Sequence, residues 1–179
     1  MALILVGYRG SGKSTVGKML ADRLGRSFLD ADEEIEHQAG YSIAEIFDSE
    51  GESGFRAREV AVTLELFERP NVVVATGGGA VLSEQLRQAM IEAEATIYQK
   101  IAPATAQERI QRDASSQSRR PALTDLPARQ EIESIMATRE PLYQQVATLT
   151  IEADHLSVGE IVEQILAALP SVPGKQEQE

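Results

Sequence analysis

The chain has 179 residues, and its 17 Lys and Arg stand against 28 Asp and Glu, a formal charge of −11. That length holds one domain with a core of its own, while the charge opposes association with nucleic-acid backbones or anionic lipid. Cys is absent and the only His are His37 and His155, which excludes a disulfide framework and a thiolate zinc site.

The apolar run over residues 2–6 predicts a buried strand and ends at Gly7, far short of a membrane span and without a basic leader, so a cytoplasmic protein is expected. Val16, Met19, Leu20 and Leu24 then recur at helical spacing up to Gly25. Residues 27–29 predict a second strand, and residues 32–39 a short helix ended by Gly40. Ser42 with Glu45 has the spacing of a capping box and opens a helix through Phe47; a further helix is expected over 52–68, stopped by Pro70.

Residues 72–76 form a β-branched run entering Gly77, Gly78 and Gly79, followed by a predicted helix over 84–93 and a strand over 95–99. Residues 113–127, rich in Ser, Gln, Arg and Pro without apolar periodicity, predict a mobile surface loop. Helix is expected again from 128 to about 146, with a kink at Pro141, then a strand over 148–152 and a helix capped by Ser157 with Glu160. Residues 170–179 read as a disordered polar tail. Strands alternating with helices predict an α/β fold, a three-layer α/β/α sandwich on a five-stranded parallel sheet with right-handed crossovers.

Gly7-Tyr8-Arg9-Gly10-Ser11-Gly12-Lys13-Ser14 fits the P-loop pattern and lies between the first strand and the first helix. Glycines at 7, 10 and 12 let backbone N–H groups turn inward around a β-phosphate, and the helix adds the positive end of its dipole. Lys13 then reaches the β- and γ-phosphates of ATP, and the Ser14 hydroxyl is placed to ligate Mg²⁺. A glycine-rich turn without a ligand would leave Lys13 and Ser14 unexplained.

The motifs Gly7 to Ser14, Phe28-Leu29-Asp30-Ala31-Asp32, Gly51-Glu52-Ser53-Gly54-Phe55-Arg56, Gly77-Gly78-Gly79-Ala80, Arg120-Pro121 and Arg139-Glu140-Pro141-Leu142-Tyr143 together resemble the shikimate kinase family. They stand in the family's order and spacing over about residues 2–169. The resemblance implies a P-loop NTPase fold in one kinase domain over 1–169, with a substrate-binding helical segment at about 31–69 and a lid at about 113–127. It implies phosphorylation of shikimate to shikimate 3-phosphate by ATP with Mg²⁺, on the route to chorismate and aromatic amino acids. A monomer is expected, with no nucleic-acid or membrane partner.

The same resemblance assigns residues. Gly10, Ser11, Gly12, Lys13, Ser14 and Thr15 hold the nucleotide; Asp30 joins Ser14 in the Mg²⁺ shell, and Asp32 meets a shikimate hydroxyl. Chemistry agrees, since a hard cation takes carboxylate oxygen and an attacking hydroxyl takes an acceptor. An ordinary helix N-cap is the plainer reading of Asp32. Arg56 and Arg139 match the arginines that bind the substrate carboxylate, a planar group suited to guanidinium forks, although either one alone would read as a surface residue.

Glu59 lies three residues beyond Arg56, where an i,i+3 pair would orient it. Gly78 and Gly79 correspond to glycines beside the substrate hydroxyls and γ-phosphate; Phe47 and Phe55 match pocket positions, with plain core as the alternative. Arg112 resembles the arginine that packs on adenine, and Arg120, next to Arg119, the lid arginine that contacts the transferring phosphate. Lys13, Asp32 and Arg120 are therefore the expected catalytic set. Two rivals share the cradle: another small P-loop kinase, such as one for gluconate, and a noncatalytic nucleotide-binding module.

Overall fold

The computed structural model describes residues 1–112 and 127–169. The expected loop, apart from Pro127, and the expected tail lie outside the described residues.

Strands β1 (Leu3–Val6) and β3 (Val72–Ala75) are buried along their whole length. Both faces are covered, so neither needs the polar alternation of a half-exposed strand. With β2 (Ser27–Asp30), β4 (Ala95–Lys100) and β5 (Leu149–Glu152) they form one parallel sheet in the order β2-β3-β1-β4-β5. Alternate strand residues feed two separate cores. Ile4, Val6, Val74 and Tyr98 pack with residues of α2 (Ala31–Ala39), α3 (Ile43–Glu68) and α4 (Glu84–Glu92). Leu3, Leu5, Val73 and Ile97 pack with those of α1 (Lys13–Leu24), α5 (Pro103–Arg112) and α7 (Val158–Ala168). Helix α6 (Ala128–Val146) supplies Tyr143 to the first core and Met136 to the second.

The five expected strands and the expected layering are observed, with element ends shifted by a residue or so. Both capping boxes form: Ser42 N–H donates to Glu45 Oε2 at 2.8 Å, and Ser157 N–H to Glu160 Oε2 at 2.8 Å. The two expected helices lie end to end within residues 43–68, separated by a kink at Gly51, whose φ of 71° is not helical. The short helix α2 starts at Ala31 and is capped by Asp30, whose Oδ1 accepts from Asp32 N–H at 3.0 Å. Asp32 is therefore in the first turn, and the plainer reading of it as the cap is corrected.

The loop over 113–127 was expected between helices, but the helix before it, α5, was given no bounds. Its signals are Pro103 at the first helical position and Ala106 and Ile110 four residues apart facing the core. The short 3₁₀ turn Ala80–Leu82 was unforeseen. No helix among the described residues is long and apolar enough to cross a membrane.

The strand order fixes where a ligand sits. From β1 the chain passes to β2 and β3 on one side, then crosses to β4 on the other, so the loops after β1 and β3 open beside this reversal at the carboxyl edge.

Two features of the framework lead to measurable effects. Gln99 on β4 is fully buried, and neither its Nε2 nor its Oε1 has a hydrogen-bond partner among the described residues. A stranded buried amide costs about 1–3 kcal/mol, so Gln99→Met, which nearly preserves volume, should stabilise the fold by ~1 kcal/mol. A urea midpoint that rises in the variant supports this; one that falls shows the amide to be satisfied by an internal water.

Arg26 holds Glu94 through two hydrogen bonds of 2.9 and 2.7 Å, joining the segments that enter β2 and β4. The guanidinium keeps the Glu94 carboxyl below its ordinary value of 4.5. A depressed folded value means the pair stabilises the fold above the unfolded value, and that contribution disappears as pH falls through the folded one. Glu94→Gln should lower stability by on the order of 1 kcal/mol at pH 7. The gap from the parent should close as the pH is lowered from 4.5 through the depressed folded value of Glu94, as followed by chemical denaturation.

Candidate active site

The loop after β1 is shaped by close approach. Gly7 has φ 148°, and a Cβ there would stand 2.6 Å from Gln99 O and 3.0 Å from Ser11 Oγ. No other residue fits without moving the end of β4. The loop runs into Gly12 and the first turn of α1, whose N–H groups lack intrahelical partners and make an anion site. Lys13 Nζ bends back over the loop and donates to Gly7 O at 2.9 Å, Tyr8 O at 3.0 Å and Ser11 Oγ at 3.3 Å. Ser11 is buried and Thr15 lies exposed in the first turn of α1. Arg109 of α5 donates to Gly10 O at 3.3 Å and to Ala153 O at 3.4 Å, fastening the cradle to the segment after β5.

Beside this cradle, Ser14 Oγ donates to Asp30 Oδ2 at 2.5 Å. A hydroxyl and a carboxylate oxygen so close together are hard donors of the kind that would suit Mg²⁺. Among the described residues no group of three or more His, Asp or Glu forms a cage of its own. Ser14 and Asp30 fit such an ion as two of its oxygen donors. Asp32, half-buried on the next turn, is positioned through its own N–H by the same carboxylate.

Across from Lys13, two guanidiniums converge. Arg56 of α3 is held by Glu59 at 2.7 Å and by Glu52 at 3.2 Å. Glu59 is only 2% exposed, so this i,i+3 pair is no ordinary surface bridge. The Arg56 guanidinium lies directly against Gly79, where a Cβ would overlap its Nη1. Arg139 of α6, also buried, donates from Nη1 to Gly78 O at 3.1 Å. The same carbonyl accepts from Tyr143 Oη at 2.6 Å. A Cβ on Gly78 would stand 3.4 Å from Arg9 N and 3.5 Å from Gly7 O, which places the triple glycine against the P-loop.

The structure therefore gathers Gly10, Ser11, Gly12, Lys13, Ser14, Thr15, Asp30, Asp32, Arg56, Gly78, Gly79 and Arg139 at one edge of the sheet. Phe55 is fully buried and stacks on half-buried Phe47 at 4.7 Å, with the Arg56 guanidinium carbon 5.3 Å above its ring. Phe55 is core that supports Arg56. Arg112 ends α5 with its side chain 78% exposed, paired with Glu108 at 2.7 Å. Arg119 and Arg120 lie outside the described residues.

Two participants were not foreseen from sequence. Arg109 becomes visible only once α5 is known. Tyr143 stood in the quoted motif four residues after Arg139, a spacing that puts both on one helix face. Burial pushes the Tyr143 phenol well above its ordinary range, so it remains a proton donor.

The geometry sets a P-loop beside two arginines on the triple glycine. The family model for shikimate kinase matches residues 9–170. A shikimate kinase of Rhodopirellula baltica is 43% identical over 97% of this chain and 92% of its own length. One of Pseudomonas syringae pv. tomato is 43% identical over 96% of this chain and 97% of its own. In structure the chain is similar to a shikimate kinase of Acinetobacter baumannii in complex with shikimate, with a TM-score of 0.86 and 39% identity, covering 92% of this chain and 90% of that one. With the P-loop NTPase fold, the cradle and the match over most of its length in hand, the chain belongs to the shikimate kinase family.

Proposed function

We propose that this protein transfers the γ-phosphoryl group of ATP to the 3-hydroxyl of shikimate, giving shikimate 3-phosphate and ADP, on the route to chorismate and aromatic amino acids. The observation that carries this reading is the convergence of Arg56 and Arg139 on Gly79 and Gly78 beside the P-loop. A substrate with both a carboxylate and hydroxyls suits that arrangement, because guanidinium forks take the acid while backbone and Asp32 take the hydroxyls. The Acinetobacter baumannii relative, solved with shikimate, supports the choice of acceptor.

In this scheme Lys13 exchanges loop carbonyls for the β- and γ-phosphate oxygens, and the first-turn amides of α1 hold the β-phosphate. Ser14 and Asp30 would hold Mg²⁺, which neutralises charge on the phosphates. Asp32 accepts a hydrogen bond from the attacking hydroxyl and aligns it; the new O–P bond forms as the bond to the β-phosphate oxygen breaks, ADP leaves, and the hydroxyl proton departs along its hydrogen bond to Asp32. Arg112, a mainly exposed guanidinium in a surface ion pair, is available to stack on the adenine.

The working unit in this reading is one kinase domain over 1–169, with 31–69 as its substrate-binding segment. It acts as a cytoplasmic monomer, and a charge of −11 disfavours nucleic acid and anionic membranes as partners.

The first experiment is a coupled assay of ADP release with shikimate, with gluconate and with no acceptor. Release that requires shikimate supports the proposal; release with gluconate alone, or none above background, refutes it in favour of a different kinase or a noncatalytic module. Asp32→Asn should lower kcat by about 10²-fold or more while KM for ATP stays within about threefold. Gly79→Ala should displace the Arg56 guanidinium and raise KM for shikimate by about tenfold or more, with KM for ATP little changed.

A further inference from the structure

We propose that Tyr143 is a positioning residue for the acid substrate, acting through the Gly78 carbonyl that it shares with Arg139. The inference rests on the reading in which Arg139 meets the substrate carboxylate.

Gly78 O receives two donors from one face of α6, the phenol of Tyr143 at 2.6 Å and Nη1 of Arg139 at 3.1 Å. Both side chains are buried, Tyr143 at 2% exposure and Arg139 at 7%, so water does not compete for that oxygen. The phenol has one proton to give, and it goes to this carbonyl. Its ring is fixed in turn by stacking on Tyr98 at 4.9 Å and 22°. Tyr98 sits opposite Val6 in the sheet, the last residue before the P-loop. The phenol ring is thereby referred to β4 and, through the pairing of Tyr98 with Val6, to the end of the strand that leads into the P-loop.

A Cβ on Gly78 would stand 3.4 Å from Arg9 N and 3.5 Å from Gly7 O, so this peptide packs close to the P-loop as well as to α6. Arg139 commits one nitrogen to this fixed oxygen, which sets the plane of the remaining donors. A planar carboxylate is bound well only when that plane is correct, because the two N–H bonds of a guanidinium fork must be parallel. Without the phenol, Gly78 O is held by Arg139 alone, and peptide and guanidinium shift together.

Steady-state kinetics on Tyr143→Phe, Arg139→Lys and the double variant test this. Tyr143→Phe keeps the ring and its stack on Tyr98. It is expected to raise KM for shikimate by about tenfold, the effect of one lost hydrogen bond, with KM for ATP within about twofold. Arg139→Lys should raise KM for shikimate further, by about 100-fold, since the fork itself is gone. The double variant should match Arg139→Lys within about twofold, because the phenol then has no fork to orient.

If Arg139→Lys leaves KM for shikimate unchanged, the substrate role of Arg139 fails and the inference goes with it. If Arg139→Lys acts as expected but Tyr143→Phe is silent, weakens both substrates equally, or multiplies with Arg139→Lys, only the inference is overturned. Ligand-free thermal midpoints of all three variants separate loss of fold from loss of binding.

Discussion

The register between β1 and β3 is the constraint on which the site depends. Leu5 stands opposite Ala75, and just beyond the strand end Thr76 donates both its N–H and its hydroxyl to Leu5 O at 3.1 Å. These bonds align the exit of β3 with the exit of β1, so Gly7 and Gly78 meet. A slip of one residue would turn every side chain of β3 to the opposite face, exchanging Val74 of one core for Val73 of the other. With both faces buried, that exchange is resisted over the whole strand. The apolar packing of four residues thus sets the distance between the P-loop and the triple glycine on which Arg56 and Arg139 lie.

An acidic chain must collect anionic ligands, and it does so with local geometry rather than net charge. Lys13, Arg56, Arg139 and the start of α1 face one edge, yet each cation is already engaged: Lys13 by loop oxygens, Arg56 by Glu59 and Glu52, Arg139 by Gly78 O. A buried ion pair such as Arg56 with Glu59 contributes little net stability, because desolvation offsets the Coulomb attraction. What it supplies is a fixed direction for the guanidinium, with Nη1 taken by Glu59, Nε and Nη2 by Glu52, and the plane lying on Gly79. The pocket is therefore assembled before a ligand arrives, which reduces the ordering cost of binding.

Much of this was legible in the sequence wherever the physics is local. Capping boxes at Ser42 and Ser157, β-branched runs and the glycine loop act through neighbours a few residues away, and they were read correctly. Reading failed where a remote partner decides. Arg109 is 99 residues from the Gly10 carbonyl that it holds, and no pattern around either residue encodes the contact. The i,i+3 spacing of Arg56 and Glu59 was visible, but their burial was not, since the same spacing occurs on any solvated helix. Helix α5 was given no bounds despite Pro103 because its apolar face is narrow, with only Ala106 and Ile110 buried.

The break in α3 shows how a local irregularity serves a remote requirement. A continuous helix from Ile43 would fix the direction of Arg56 from the Ser42 cap alone, whereas Gly51 lets the second half take the direction set by Gly79 and the sheet. The two halves are then rejoined by side chains. Phe47 stacks on Phe55 on the inner side, and Glu50 takes Arg58 through bonds of 2.9 and 2.8 Å on the outer side. Tyr41 adds a hydrogen bond of 2.8 Å to the same carboxylate. Aromatic stacking and a bidentate ion pair across one glycine restore the stiffness that the missing helical turn gave up, and the arginine keeps its place over the triple glycine.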